Sequence, residues 1–401
     1  MQEGRATLVL PWSHDFAADI LVSGECTRRS FFSRDESYVR SPAVPFAFQR
    51  GATEILVIDR VRLLFPFKLK IQIYFPRQGR QLRMSRTVAV AHYPEGAGHA
   101  TRMLAVAQAL EGPETDVVLA GGGPGSQFIE HNGYEVYRPA TVDYIGDYQG
   151  GSIFDVLTRS VPNSARRVFD FVRWLRREDP AALVTDDMFA AMAAHCTDTP
   201  LYVLTHNAAS YYDAAVEEVF TWILNRYQIS ISHAFLYPSV WPPDRGDPAG
   251  VVHIPPVALE PNGEERPENV DVLLVPSTYT TNFKELTRAL EAEGNDVTLV
   301  GNDDWESVPS LLPWIQAANV VVCSGYSTVM EAAVAGTPCI IHPFTDEQHG
   351  VSRVIERTGL RGFQVEHSIP HVVRAVRHPP ESPEYENGAT RAAEYVLDHM
   401  E

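Results

Sequence analysis

The sequence predicts an α/β protein built from two doubly wound, parallel-sheet halves that face each other across a cleft. Three observations carry this. From Met84 onward, short β-branched runs alternate with helix-prone stretches. A Pro-, Gly- and Glu-rich stretch without periodicity, Ile254 to Asn269, interrupts the series and reads as an interdomain linker. The alternation then resumes. The expected boundaries are an N-terminal extension over 1–83, a first half over 84–259, a second half over 269–385 and a closing helical segment over 386–401.

The 401 residues suffice for two domains of ordinary size and an extra segment, and 45% hydrophobic residues can fill their cores. Lys plus Arg is 33 against 51 Asp plus Glu, a net charge of −18. That balance excludes a general nucleic-acid binder, which needs a basic face. Only Lys68, Lys70 and Lys284 are lysines. Abundant carboxylates with almost no Lys suggest adaptation to high salt, where screening weakens surface self-repulsion; an ordinary acidic protein from a GC-rich genome is the competing reading. The cysteines, Cys26, Cys196, Cys323 and Cys339, have no metal-ligand or C-x-x-C spacing. A reduced, cytoplasmic protein without secretory signal or membrane span is the simplest expectation.

Residues 1–83 differ from the remainder. They hold 13 basic and 8 acidic residues, against 20 and 43 in the rest. Their one clear period is FKLKIQIYF, Phe67 to Phe75, a strand pattern. Met84 then opens MSRTVAVAHYPEGAGHATR, which looks like a protein start. The segment is either an upstream or loosely ordered extension, or, through VRLLFPFKLKIQIYF, a peripheral contact with anionic lipid at the inner membrane face.

In the first half, Thr87 to Ala91 is a strand, EGAGHATR a glycine turn, and Met103 to Leu110 the helix that continues it. Val117 to Ala120, Tyr134 to Tyr137, Ala182 to Thr185 and Tyr202 to Thr205 are further strands. Ala165 to Arg177 and Phe189 to His195 are helices. Gly96-Ala97-Gly98-His99 lacks the third glycine of a dinucleotide fingerprint. Tyr211 to Trp241 is rich in aromatics, which read first as core and second as an apolar groove.

In the second half, Asp271 to Val275 is a strand followed by the polar turn Pro276 to Thr281. Phe283 to Glu293 is a helix and Val297 to Val300 a strand. The most informative stretch is Asn319 to Gly359. Val320 to Cys323 is a buried strand, Gly325 breaks it, and Ser327 and Thr328 are expected N-caps of a helix over Val329 to Ala335. Gly336 stands where a C′ glycine belongs, Pro338 follows, and Cys339 to His342 starts the next strand. A helix start at the carboxyl end of a parallel sheet presents unpaired N–H groups to a phosphate. Glu331, one turn in, is placed to accept both hydroxyl hydrogens of a ribose diol. Asp346, Glu347 and Gln348 follow the next strand, within reach of sugar hydroxyls.

This pattern, G-x-S-T-x-x-E-A-x-x-x-G-x-P followed by P-x-x-x-x-Q, resembles the nucleotide-sugar signature of GT-B glycosyltransferases. It is most similar to the branch of MurG-type and family 28 enzymes, with a weaker likeness to UDP-glucuronosyl and plant glucosyl transferases. The resemblance implies two Rossmann-like domains, an inverting, metal-independent transfer from a nucleotide-sugar, a UDP-sugar first of all, and no cofactor. It implies donor contacts from Ser277, Thr278, Gly325, Ser327, Thr328, Glu331, Glu347 and Gln348. It also implies acceptor contacts from Gly96, Gly98, Arg102 and His206, and a base at His99, with Glu95 and Asp187 as alternatives. The acceptor, lipid-linked or otherwise, stays open. The acidic pairs Asp186-Asp187 and Asp303-Asp304 do not form a D-x-D metal motif. A terminal helix crossing back onto the first half is a further implication. A non-hydrolysing UDP-sugar 2-epimerase and a non-catalytic nucleotide-sugar-binding subunit are the rival readings.

Overall fold

The computed structural model describes residues 85–140, 161–261, 263, 267–277, 282–301 and 305–400, together with four short strands in the first 83 residues. Those strands belong to a separate unit. β1 (Ala6–Thr7), β2 (Asp19–Ser23), β3 (Ile55–Ile58) and β4 (Lys70–Tyr74) form an antiparallel sheet in the order β1-β2-β4-β3. The alternating pattern expected over 67–75 thus contains β4.

The second unit holds two parallel sheets. The first contains β5 (Arg86–Ala91), β6 (Thr115–Ala120), β7 (Val136–Tyr137), β8 (Ala182–Thr185), β9 (Leu201–Leu204), β10 (Ala234–Pro238) and β11 (Val252–Ile254), in the order β11-β10-β9-β8-β5-β6-β7. Its crossovers include α1 (Ala97–Leu110), α2 (Ser126–His131), α3 (Val161–Glu178), α4 (Met188–Thr197) and α5 (Ala215–Ile231). The second contains β12 (Val270–Val275), β13 (Val297–Leu299), β14 (Ala318–Cys323), β15 (Cys339–Ile341) and β16 (Phe363–Val365), in the order β13-β12-β14-β15-β16. Around it lie α6 (Phe283–Ala292), α7 (Leu312–Ala317), α8 (Tyr326–Ala335), α9 (Asp346–Thr358) and α10 (Ile369–Arg377). The apolar runs read from the sequence are the strands: Val88 to Ala91 and Val320 to Cys323 are almost wholly excluded from water, as strands covered on both faces must be.

α11 (Gly388–His399) closes the chain against the first half. Its Ala392, Ala393 and Val396 share a core with Leu104 and Val106 of α1. Asn387 caps it, accepting from the Ala389 N–H at 3.1 Å and donating to the Ala258 carbonyl at 2.9 Å. The stretch read as a linker is therefore packed at this point: Val257, Ala258 and Leu259 are buried. Its Ile254 belongs to β11.

Two helix starts differ from expectation. α1 begins at Ala97 rather than Met103, so His99 lies in its first turn. Gly96 supplies the abrupt entry with φ 77°, which a side chain disfavours. α8 begins at Tyr326, and Gly325 rather than Ser327 or Thr328 is its N-cap. Ser324 closes the preceding turn by accepting from the Ser277 N–H at 3.0 Å, and helical geometry is reached earlier. Ser327 and Thr328 then fall in the first turn, whose N–H groups have no intrahelical acceptor. At the other end Gly336 takes the left-handed conformation, φ 74°.

Leu104 is fully buried between the sheet and α11, whereas Leu397 is substantially exposed. Leu104→Ala is expected to cost about 2–5 kcal/mol in chemical denaturation and Leu397→Ala less than about 0.5 kcal/mol.

Candidate active site

In both sheets the strand order reverses next to the site: between β8 and β5 in the first and between β12 and β14 in the second. Crevices form outside the carboxyl ends of strands at such points. β5 leads through the glycine turn to His99, and β8 ends directly before Asp186. β12 leads to Ser277, and β14 to Gly325 and α8.

Asp186 organises the first side. Its Oδ1 accepts from the Tyr93 N–H at 2.8 Å, and its Oδ2 meets His99 Nδ1 at 2.7 Å and Arg102 Nη2 at 2.6 Å. Burial alone would raise this carboxyl. The His99 ring, Arg102 and the Tyr93 N–H outweigh it and hold it at about 2. An ionised carboxylate only accepts, so the proton of a neutral His99 ring sits on Nδ1 and is given to Asp186 at 2.7 Å, the shorter of its contacts, rather than Nδ1 accepting from Arg102 Nη2 at 3.2 Å, which leaves Nε2 to accept. His99 is one-third exposed, while Arg102 is buried. The Tyr93 ring lies edge-on to His99 at 5.5 Å.

Asp187, one residue on, does something else. Its Oδ1 caps α4 by accepting from Phe189 N–H at 2.7 Å and Ala190 N–H at 3.3 Å. Its Oδ2 pairs with the fully buried Arg167 at 2.5 Å. As an alternative base it is therefore corrected: its oxygens are committed and no water reaches them. Glu95 accepts from the Tyr93 hydroxyl at 3.2 Å.

On the second side, Ser277, Gly325, Ser327, Thr328, Glu331 and Gln348 converge around the start of α8. Thr278 lies outside the described residues, as do Asp303 and Asp304. Glu331 is 7% exposed and has no ion-pair partner among the described residues, and burial raises its carboxyl to about 7. Gln348 closes a capping box with Thr345 at the start of α9. Its Oε1 accepts from the Phe344 N–H at 2.8 Å and its Nε2 donates to Ser277 Oγ at 3.2 Å. The amide thereby ties the loop before α9 to the turn after β12.

The two sides touch. A β-carbon at Gly98 would overlap the Ser327 hydroxyl, so only glycine lets the first turn of α1 approach the first turn of α8. His206, following β9, meets Arg102 through Nδ1 at 3.3 Å and Glu347 through Nε2 at 3.0 Å. The Tyr326 ring lies 4.6 Å from His206 and its hydroxyl accepts from the Val240 N–H at 3.1 Å.

No protein-family model matches the chain, and no curated protein sequence matches it. Solved structures do. The glycotransferase of kitacinnamycin superposes with a TM-score of 0.55 at 14% identity, over 79% of this chain and 100% of its own. SsfS6, a glycosyltransferase of Streptomyces sp. SF2575, gives 0.52 at 12% identity over 79% and 95%, and is also known complexed with thymidine diphosphate. MurG of Acinetobacter baumannii gives 0.50 at 13% identity over 78% and 99%. The chain has the GT-B fold.

Within this GT-B frame the sequence reading missed Asp186. The signal was present: in the pair Asp186-Asp187 the second acid precedes a helix-prone Met-Phe-Ala-Ala run and is an N-cap, which leaves the first at the carboxyl end of the strand. The division of labour is testable. Asp187→Ala strands the buried Arg167 and removes a cap, and is expected to cost about 3–5 kcal/mol in chemical denaturation. A loss below about 1 kcal/mol would contradict the structural assignment.

Proposed function

We propose that this protein is an inverting, metal-independent glycosyltransferase that moves a sugar from a nucleotide-sugar, a UDP-sugar in the first instance, to an acceptor hydroxyl. One observation carries the reading: the Asp186–His99 pair and the start of α8 face each other across a contact as close as Gly98 to Ser327. A base and a phosphate-binding helix end at that separation are what displacement at an anomeric carbon requires. The fold match to glycosyltransferases and the nucleotide signature support it; SsfS6 binding thymidine diphosphate makes that nucleotide the second candidate.

The acceptor hydroxyl donates to His99 Nε2. As its oxygen attacks the anomeric carbon from the face opposite the diphosphate, the proton passes to Nε2 and the sugar–phosphate bond breaks with inversion. Asp186 stabilises the imidazolium that results. The negative charge on the departing β-phosphate is met by the N–H groups of Tyr326, Ser327 and Thr328 and the positive end of α8. Glu331 accepts the ribose hydroxyls. Burying an acid with no partner is costly, and a diol that donates twice offsets that cost when the nucleotide binds.

His99→Ala and Asp186→Asn are expected to lower turnover, read as nucleoside diphosphate release from UDP-sugars, by about 10²-fold or more while UDP still binds. Undiminished turnover in His99→Ala would remove it as the base.

Glu331 gives a second test. Between pH 4.5 and about 7 the folded protein holds a proton there that the unfolded chain has released, so stability falls as pH rises through that window. Above about 7, Glu331→Gln is expected to stabilise the protein by up to roughly 3 kcal/mol. The same change is expected to weaken UDP binding about tenfold, because an amide accepts only one ribose hydroxyl well. Calorimetry with UDP and with thymidine diphosphate checks this; stabilisation with unaltered affinity for both would contradict the ribose role.

A further inference from the structure

We propose that Arg102 and Glu347 are positioning residues acting through His206 as a cross-cleft latch, which registers closure of the two halves at the Asp186–His99 pair. The inference deepens the transfer reading and rests on it for its rate measurement.

The direction of each hydrogen bond follows from chemistry. A guanidinium only donates, so the Arg102 Nη1 contact at 3.3 Å obliges His206 Nδ1 to accept. The ring's proton is then on Nε2, and Nε2–H donates to Glu347 Oε1 at 3.0 Å. Arg102 belongs to α1 and Glu347 to α9, so a one-way line of donors runs from the first half through His206 to the second. Burial, Arg102 and His99 disfavour a second proton on His206, and the bond to Glu347 opposes them without prevailing. Desolvation in the cleft would raise the Glu347 carboxyl, but the His206 bond, His99 and Arg102 outweigh it, so Glu347, although half-exposed, stays ionised. A neutral ring donating to a carboxylate satisfies both residues.

The other end of the line is the base. Arg102 Nη2 shares Asp186 Oδ2 with His99 Nδ1, at 2.6 and 2.7 Å. Arg102 is 2% exposed and His206 7%, so neither is open to an acceptor. This differs from their expected place in acceptor binding. Glu347, expected on the donor sugar, is spent on His206. Opening the cleft removes Glu347, frees the His206 ring to turn and leaves the Arg102 fork fixed at one tine only. The carboxylate that orients His99 then loses the support of a fixed neighbour. His99 is thereby held in its working orientation only when the halves are together.

The test has two arms on the full chain. In the first, the imidazole nitrogens are read by 15N NMR after histidine labelling. His206 is expected as the Nε2–H tautomer in the wild type and in Glu347→Gln, and as a mixture in Arg102→Met. An Nδ1–H tautomer in the wild type would overturn the latch, whatever reaction the protein performs. In the second, hydrolysis of UDP-glucose and UDP-N-acetylglucosamine is followed. Glu347→Ala, a change at a half-exposed site that leaves the core intact, is expected to lower kcat at least about tenfold with KM nearly unchanged. Glu347→Gln, whose carbonyl still accepts from Nε2–H, is expected to stay within about threefold of the wild type, a rescue by retained hydrogen bonding. Equal damage in both variants, carried by KM, would make Glu347 a donor-sugar contact instead. If the wild type hydrolyses neither substrate, the transfer reading is at fault, and the NMR arm still decides the latch.

Discussion

The Asp186 carboxylate is the constraint around which the first half of the site is arranged. It is buried, ionised and shared by a backbone N–H, a histidine and an arginine. A buried charge persists only if its partners are held in place, and all three come from one short stretch, 93–102: the turn after β5 and the first two turns of α1. Fixing the carboxylate therefore fixes the glycine turn, the entry angle of α1 and the tautomer of His99 together. The adjacent Asp187 secures α4 and Arg167, which anchors the carboxyl end of β8 from behind.

In the proposed reading the second half meets the opposite requirement, holding an anion chiefly with backbone N–H groups. Lys284 is the single lysine after residue 83. What the fold offers is geometry: a helix whose first turn is bare of side-chain caps, set at a strand reversal and approached by a second helix start at Gly98. Two helix N-termini facing one point concentrate positive potential without any charged residue. Glu331 beside them is buried, which raises its carboxyl to about 7, and a perturbed acid in a cleft is a signal of function.

Much of this was legible in the chain. The parallel sheets follow from apolar β-branched runs, and the turn and helix after β14 from Gly325, Gly336 and Pro338 at their spacing. The helix starts were less so, because α1 and α8 begin inside polar, glycine-containing segments whose fate depends on what they pack against. After residue 83, strands β10, β11 and β16 escaped notice: β10 lies within an aromatic stretch of ambiguous period, β11 runs into the Pro-rich stretch read as a linker, and β16 is a Phe-Gln-Val run without a clear period. Side-chain partnerships were hidden altogether. Nothing local distinguishes Asp186 from Asp187 except the helix that follows, and Arg102, His206 and Glu347 meet only because two halves of the chain close on each other.

The central claim is that the first turn of α8 receives the diphosphate of a nucleotide directly across from His99. A crystal structure of the full chain with UDP, or with thymidine diphosphate, tests it most directly. The β-phosphate is expected within hydrogen-bonding distance of the Ser327 and Thr328 N–H groups, with the ribose on Glu331 and His99 facing the open side of the phosphate. A nucleotide bound elsewhere, or with its phosphates turned away from α8, would contradict it.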